Sequence, residues 1–312
     1  MQVGKWRRQV AIPSVPACAE TAITDVNLTR LPRNQAEGHL PRIAVVTGHS
    51  DAFECLLRNL GIADDEFTND AGSGRVHLFA GGAGMTAEEG AIQSVSGDLF
   101  ADAYTTLYAS PAKLALYDFV LLACEGEQLE DAKEPYFGNM KGYADGGGRI
   151  FAEHFQYQWI SRGPSPWPAT ASWIGVGADP PSPLTANVST SFPRGAALAD
   201  WLVNVGASST RGQISLTMAQ HSVDAVAPGT LAWITTAIPA STQVLSFATP
   251  VEAATADAQC GRVDFVDIHV ATGAGVSHPE VPFPMGCLTS HTPLAQEKLW
   301  EFLFFDTRTC AP

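Results

Sequence analysis

The chain of 312 residues has a formal net charge of −14 and only 18 lysine and arginine residues, which argues against a nucleic-acid backbone or an anionic membrane surface as partner. It is 46% hydrophobic and 16% charged, so it can bury a large core. Its apolar runs fall short of the roughly 18 residues that a membrane span requires. We therefore expect no nucleic-acid partner and no membrane insertion, and the composition does not determine an oligomeric state.

Residues 1–40 contain several prolines and little periodicity, which predicts an extended arm packed on a main domain of residues 41–312. The arm begins with alternating residues, like the last strand of a preceding β-sandwich module, and lacks the apolar segment of a signal peptide. Glycine and proline are abundant (28 and 21), and the six cysteines are compatible with disulfides. These features favour a piece of a longer secreted precursor, located outside the cell or at its surface, over the alternative of a cytosolic protein.

Strands and helices alternate through the first half of the main domain. An apolar run at 43–46 predicts a strand buried on both faces. A helix is expected at 51–60, with Asp51 as its N-cap and Glu54 in its first turn. The further elements are strands at 75–79, 117–123 and 149–152, with a helix at 133–146 between the last two. This order predicts an α/β fold with a flavodoxin-like, doubly wound, mostly parallel sheet.

The second half predicts β-rich additions to that sheet. Residues 161–193 form a proline-rich loop with two tryptophans, which is longer than a connection requires. The remaining elements are helices at 195–205 and 292–304, short strands at 213–218, 231–235 and 243–248, and an alternating strand at 260–270.

Ionisable residues follow several of the predicted strands, at the carboxyl ends where open α/β sheets bind ligands. These residues are His49, Asp51, Glu125, Glu153, His154 and His269. Such groups can bind a divalent metal through two histidines and a carboxylate, or act as general acid and base. The predicted catalytic residues are His154, His269 and Glu125. The predicted metal ligands are His49, His154 and His269.

Structural alternatives remain open for these residues. Asp51 is explained most simply as a helix cap. Glu153 points away from His154 if the strand continues, since side chains alternate along a strand. His154 and His269 could also be structural histidines that bond to neighbouring groups.

Cys124 lies in the segment CEGEQ, directly after the strand at 117–123. The segment matches the C-x-G-x-Q pattern at the nucleophile elbow of class I glutamine amidotransferases, and SHPE at 277–280 resembles their His-x-Glu motif. A thiolate activated by such a pair would be a nucleophile. Strand order argues against this role, because in that family the elbow follows the next strand, where this chain has His154. The alternative is a disulfide.

Six cysteines allow fifteen pairings, so the sequence cannot determine the connectivity. The first helix begins at the same edge of the sheet as Cys124, two other cysteines bracket one loop, and the last two could join the arm to the C-terminus. The candidate pairs are Cys55–Cys124, Cys260–Cys287 and Cys18–Cys310.

Aromatic residues cluster after the strand at 149–152 and through the long loop. Exposed rings of Tyr157, Trp159 and Trp167 would suit a carbohydrate or a related polymer, which is the expected ligand. The alternative is that these rings are buried and anchor the loop.

Four segments resemble the ThuA-like branch of the class I glutamine amidotransferase-like superfamily: VVTGHSDAFECLLRNLG, YDFVLLACEGE, GGGRIFAEH and GRVDFVDIH. The resemblance covers residues 41–160 and 195–305. It implies a glutamine-amidotransferase-like fold without the catalytic cysteine, a link to sugar metabolism, and family histidines at His154 and His269. The whole chain is also similar to an uncharacterised C-terminal domain of large bacterial surface lipoproteins. Glu153 and the loop at 161–193 depart from these patterns.

Three functional hypotheses follow. The first is a secreted or surface hydrolase-like domain that acts on a carbohydrate or related polymer, with a divalent metal as the only cofactor that its residues suggest. The second is a non-catalytic surface binding module of the same fold, which uses the aromatic loop and holds Cys124 in a disulfide. The third is a cysteine-dependent amidase that uses Cys124.

Overall fold

The computed structural model describes all residues except 13, 49, 83–93, 96–97, 271–286, 288–291 and 307–312. The strands are β1 (Gln2–Val3), β2 (Trp6–Arg7), β3 (Ile43–Val46), β4 (Phe67–Thr68), β5 (Val76–Ala80), β6 (Ser94–Val95), β7 (Asp98–Leu99), β8 (Ala101–Asp102), β9 (Phe119–Leu122), β10 (Arg149–Glu153), β11 (Ala171–Trp173), β12 (Leu184–Val188), β13 (Gln213–Leu216), β14 (Val223–Val226), β15 (Leu231–Ala237), β16 (Ala240–Thr249) and β17 (Gly261–Val266). The α-helices are α1 (Val26–Thr29), α2 (Phe53–Asn59), α3 (Pro111–Leu114), α4 (Glu130–Lys133), α5 (Phe137–Asp145), α6 (Gln158–Ser161), α7 (Pro193–Asn204) and α8 (Ala295–Phe305).

The central sheet has the order β13-β12-β15-β16-β17-β10-β9-β3-β5-β4, and β8 also pairs with β5. Its middle strands β5, β3, β9, β10 and β17 are parallel neighbours. Counted along the chain, these five strands have the order 2-1-3-4-5 of flavodoxin-like sheets. The predicted fold class is confirmed.

The predicted β-rich additions are also confirmed. Strands β12, β13, β15 and β16 form antiparallel pairs, and β16 joins them to the parallel part by pairing antiparallel with β17. The sheet therefore changes from parallel to antiparallel at β17, the strand whose end carries His269.

Helices cover both faces of the sheet, which explains why the middle strands are apolar on both sides. Along β3, Ile43 and Val45 pack in the core that includes α2, α7 and α8. Ala44 and Val46 pack in a second core with α3, α5 and α6. The alternation follows from the two-residue period of a strand.

The N-terminal segment packs against the main domain through Trp6. This side chain is buried, with its ring centroid 6.0 Å from that of Phe119 and 5.1 Å from that of Phe305. Arg7 also forms an isolated bridge with His39. The division at residue 40 stays a prediction.

The long loop predicted at 161–193 contains regular structure. β11 pairs with β14 in a separate two-stranded sheet, and β12 belongs to the central sheet. Among the described residues, no helix is long and apolar enough to cross a bilayer.

The three predicted disulfide pairings are wrong. Cys55 is bonded to Cys287, with 5.2 Å between their Cα atoms, because both residues pack in the core beside α2. Cys124 is a buried free thiol and Cys18 is an exposed one. Cys260 is also disulfide-bonded.

We expect the double substitution Cys55→Ser and Cys287→Ser to lower the free energy of unfolding by about 2–4 kcal/mol, because the bond closes a loop across most of the chain. Urea denaturation measures the change. Cys18→Ser is the control and should shift the value by less than about 0.5 kcal/mol. An unchanged stability of the double variant, or a non-reducing peptide map that links Cys55 to another cysteine, would contradict the assignment.

Candidate functional site

Five ionisable side chains meet at the carboxyl ends of four adjacent strands. They are Asp51 after β3, Cys124 after β9, Glu153 and His154 at the end of β10, and His269 after β17. All five are buried. We refer to these five residues as the strand-end cluster.

A sharp turn at His154 brings two successive side chains into this cluster. β10 ends at Glu153, and His154 begins a short 3₁₀ helix with a φ of +40°, a left-handed conformation that is uncommon for residues other than glycine. Because the strand does not continue, Glu153 and His154 do not point to opposite sides as alternation predicts. His154 Nδ1 lies 3.4 Å from Cys124 Sγ. Glu153 Oε2 accepts a hydrogen bond from the Cys124 amide at 3.4 Å.

Asp51 is bonded to His269 and does not cap α2, the helix predicted at 51–60. α2 begins at Phe53, and no side chain caps it. The Asp51 carboxylate instead bonds to Nδ1 of His269 through Oδ2. Its Oδ1 accepts a hydrogen bond from the Val270 amide at 2.7 Å. The capping interpretation is therefore wrong, because the helix starts two residues later and the carboxylate is used at the end of β17.

Gly48 allows the turn after β3 to approach Cys124. A Cβ atom at this position would overlap the carbonyl group of Cys124. The Ser50 amide donates to that same carbonyl oxygen at 3.1 Å. The close approach places Asp51, one residue further on, beside the ends of β9 and β17.

The two histidines of the cluster have opposite electrostatic environments. Burial, with a smaller contribution from His269, lowers the pKa of His154 to about 3. Burial also opposes protonation of His269, but the hydrogen bond and charge of Asp51 outweigh it and raise the pKa of His269. The ring centroids lie 4.9 Å apart. His154 is thus neutral near pH 7, whereas Asp51 makes protonation of His269 easier than that of a free imidazole.

Burial also favours the neutral forms of the two acids beside these histidines. Burial and the charge of Asp51 raise the pKa of the Cys124 thiol to about 11. Burial, Asp51 and Cys124 raise the pKa of Glu153 well above its usual value. In the protein alone, Cys124 is a thiol and not a thiolate.

Within the part of the chain that the structure describes, two groups of three side chains could hold a metal ion. In each group, the ligand atoms lie within 4.8 Å of one another. The groups are Cys124, His154 and His269, and Asp51, Glu153 and His269. Two of the three predicted metal ligands, His154 and His269, are thus brought together. The third, His49, lies outside the described residues.

Glu125, predicted to be catalytic, belongs to a separate buried network. Its carboxylate oxygens bond to the Gly82 amide at 2.8 Å, to the Tyr104 hydroxyl at 3.0 Å and to the Gln156 side chain at 3.1 Å. It also forms a fully buried ion pair with Lys133 at 2.9 Å. With both oxygens bonded, Glu125 links the loops that follow the strands, and its catalytic role stays a prediction.

The aromatic residues predicted to contact a ligand are core residues. Tyr157, Trp159 and Trp167 are all buried. Trp159 packs edge-on against Tyr108 at 4.7 Å between centroids, and its indole N–H donates to Gln156 at 2.8 Å. These three rings therefore present no open face, and the alternative that they anchor the chain after β10 fits the structure.

Two members of the cluster differ from what the sequence predicts for them. The local pattern favours a helix cap at Asp51 and a disulfide at Cys124, whereas both side chains belong to the cluster. Their position after β3 and β9, which already marks Asp51 as a strand-end candidate in the sequence, places both residues beside the end of β10.

No model of a known protein family matches the chain, and no curated protein matches it significantly. Solved structures that are similar to it include the following two. One is a candidate GMP synthase subunit from Thermoplasma acidophilum, at 13% identity over 86% of this chain and 94% of that one, with a TM-score of 0.43. The other is a cytoplasmic protein from Salmonella typhimurium, at 10% identity over 85% and 98%, with a TM-score of 0.42. Identities and TM-scores this low carry no argument about the chain. Its fold class is therefore assigned from its own strand order.

Glu54 on α2 gives a pH-dependent test of the electrostatics near this site. Burial raises its pKa from 4.5 to about 7, and its Oε2 atom has no hydrogen-bond partner. Between these pH values the folded state binds more protons than the unfolded state, so the free energy of unfolding falls as the pH rises. The fall is roughly 3 kcal/mol and is complete above about pH 7.

Glu54→Gln should remove this contribution, so the variant gains stability relative to the original chain as the pH rises from 4.5 to 8. Urea denaturation across that range measures the difference, and exposed Glu127→Gln is the matched control. Parallel pH curves for the Glu54 variant and the original chain would show that the carboxyl is not held in its neutral form.

Proposed function

We propose that the chain is a hydrolase-type enzyme whose reaction centre is the strand-end cluster. The observation that carries this proposal is the convergence of two bonded pairs, Cys124 with His154 and Asp51 with His269, at the ligand-binding edge of the sheet. Hydrolysis requires groups that activate water and transfer protons, and imidazole, thiol and carboxyl groups do both.

Fold stability alone is a poor explanation for the cluster. Burying five ionisable groups costs free energy that apolar residues at the same positions would not cost. His154 also occupies a backbone conformation that is rare for its residue type, and such conformations concentrate at functional sites. Both features are expected where geometry has been retained for chemistry.

The proposal includes membership of the ThuA-like branch and a carbohydrate or related polymer as substrate. Support for the branch comes from its two matching histidines, His154 and His269, since both lie in the cluster. The substrate class rests on that resemblance alone, because the aromatic rings that would have supported it are buried. The disulfide bonds at Cys55 and Cys260 support a location outside the cell or at its surface.

A cysteine-dependent amidase is the second candidate, favoured by the free Cys124 thiol beside His154. Two observations stand against it. Burial raises the pKa of the thiol to about 11, whereas a cysteine nucleophile needs a lowered pKa. The position after β10, where the elbow nucleophile of the amidotransferases would lie, is occupied by His154.

Screening the full chain against chromogenic glycosides and aryl amides tests both candidates. For the hydrolase, we expect turnover of at least one glycoside, reduced by about 10²- to 10⁴-fold in His154→Ala and in His269→Ala. Exposed His39→Ala is the matched control and should retain the original rate.

The two candidates differ in their response to thiol alkylation and substrate type. Turnover of amides alone, abolished by iodoacetamide, would favour the amidase. Rates that are unchanged in both histidine variants, which must first be shown to fold by circular dichroism, would contradict the proposed centre.

A further inference from the structure

We propose that Cys124, His154 and His269 bind one divalent transition-metal ion, with Zn²⁺ as the best match, and leave its fourth coordination position open. The inference names the group through which the proposed hydrolase would activate water. Its catalytic meaning therefore rests on the proposed function, whereas the binding itself does not.

The spacing of the three side chains fits a tetrahedral ion. Zinc bonds to sulfur at about 2.3 Å and to imidazole nitrogen at about 2.0 Å, so two such ligands at a tetrahedral angle lie about 3.5 Å apart. The Cys124 Sγ to His154 Nδ1 distance is 3.4 Å. The ligand atoms of all three residues lie within 4.8 Å of one another.

The chemistry of the three donors selects the class of metal. A thiolate and two neutral imidazoles favour Zn²⁺ and related first-row ions, whereas Mg²⁺ and Ca²⁺ prefer oxygen ligands. Three protein ligands with an open fourth position are typical of catalytic zinc sites, while structural sites have four. A water molecule in that position would ionise near neutral pH.

Asp51 supplies the outer contact that a metal-binding histidine usually has. Its carboxylate bonds to Nδ1 of His269, which fixes the ring and leaves Nε2 as the nitrogen for an ion. Pairs of carboxylate and histidine of this kind orient the ligand and increase its basicity.

Glu153 holds together the two segments that carry the sulfur and the second imidazole. Its Oε2 accepts a bond from the Cys124 amide at 3.4 Å, and its Oε1 accepts one from the Val270 amide, next to His269, at 3.0 Å. Both carboxylates of the cluster are thus already bonded to backbone amides or to His269. An ion held by Asp51, Glu153 and His269 would compete with these bonds, whereas the site with Cys124 leaves them in place.

Titration of the metal-stripped full chain with Co²⁺, a spectroscopic substitute for Zn²⁺, tests the proposal directly. We expect one ion per chain and the absorption band of a bond between thiolate and cobalt. Added Zn²⁺ should displace the cobalt. Cys124→Ser should abolish the band, and His154→Ala and His269→Ala should each abolish stoichiometric binding. Asp51→Asn should weaken binding by about 10- to 100-fold while the band remains.

Exposed Cys18→Ser and His39→Ala are the matched controls and should leave the titration unchanged. Circular dichroism identifies any variant that fails to fold, and Cys124→Ser, which keeps the shape of the side chain, is then the deciding variant. The proposal is overturned if the original chain binds no Co²⁺ or if the band persists in Cys124→Ser. Binding without any turnover would instead count only against the proposed function.

Discussion

The turn at His154 is the constraint on which the candidate site depends. At the end of β10 the backbone leaves the strand with a positive φ, so Glu153 and His154 both face the same buried point. A continued strand would direct one of them into the opposite core, and the contact between Cys124 and His154 would be lost. The strain of this residue is small beside the many contacts of the parallel sheet, which hold the strand on both sides.

The four strand ends bring together groups that would be costly if they were buried separately. Asp51 and His269 partly neutralise one another, and Glu153 and Cys124 are held in neutral forms by burial. An ion with two positive charges would reverse the preference of the thiol, since metal binding releases its proton.

The apolar runs at β3, β9 and β10, with helices between them, are sufficient to predict a doubly wound, mostly parallel sheet, because a parallel strand buried on both faces has few alternatives in sequence. The positions of His154 after β10 and of His269 after β17 likewise predict that both residues belong to the candidate site. Local sequence patterns do not predict side-chain partners that are distant in the chain. Asp51 resembles a helix cap until its partner His269 is known, and Cys55 is bonded to a cysteine 232 residues away. The alternation of side chains along a strand wrongly predicts that Glu153 points away from His154, because β10 ends at Glu153 and the chain turns.

Crystals of the full chain grown with Zn²⁺, with anomalous data collected at the zinc absorption edge, test the central claim most directly. The account predicts one strong anomalous peak between Cys124, His154 and His269, about 2.3 Å from the sulfur and about 2.0 Å from each imidazole nitrogen. A cluster without a peak, or a peak bound by the carboxylates of Asp51 and Glu153 while Cys124 keeps its hydrogen bond to His154, would contradict it.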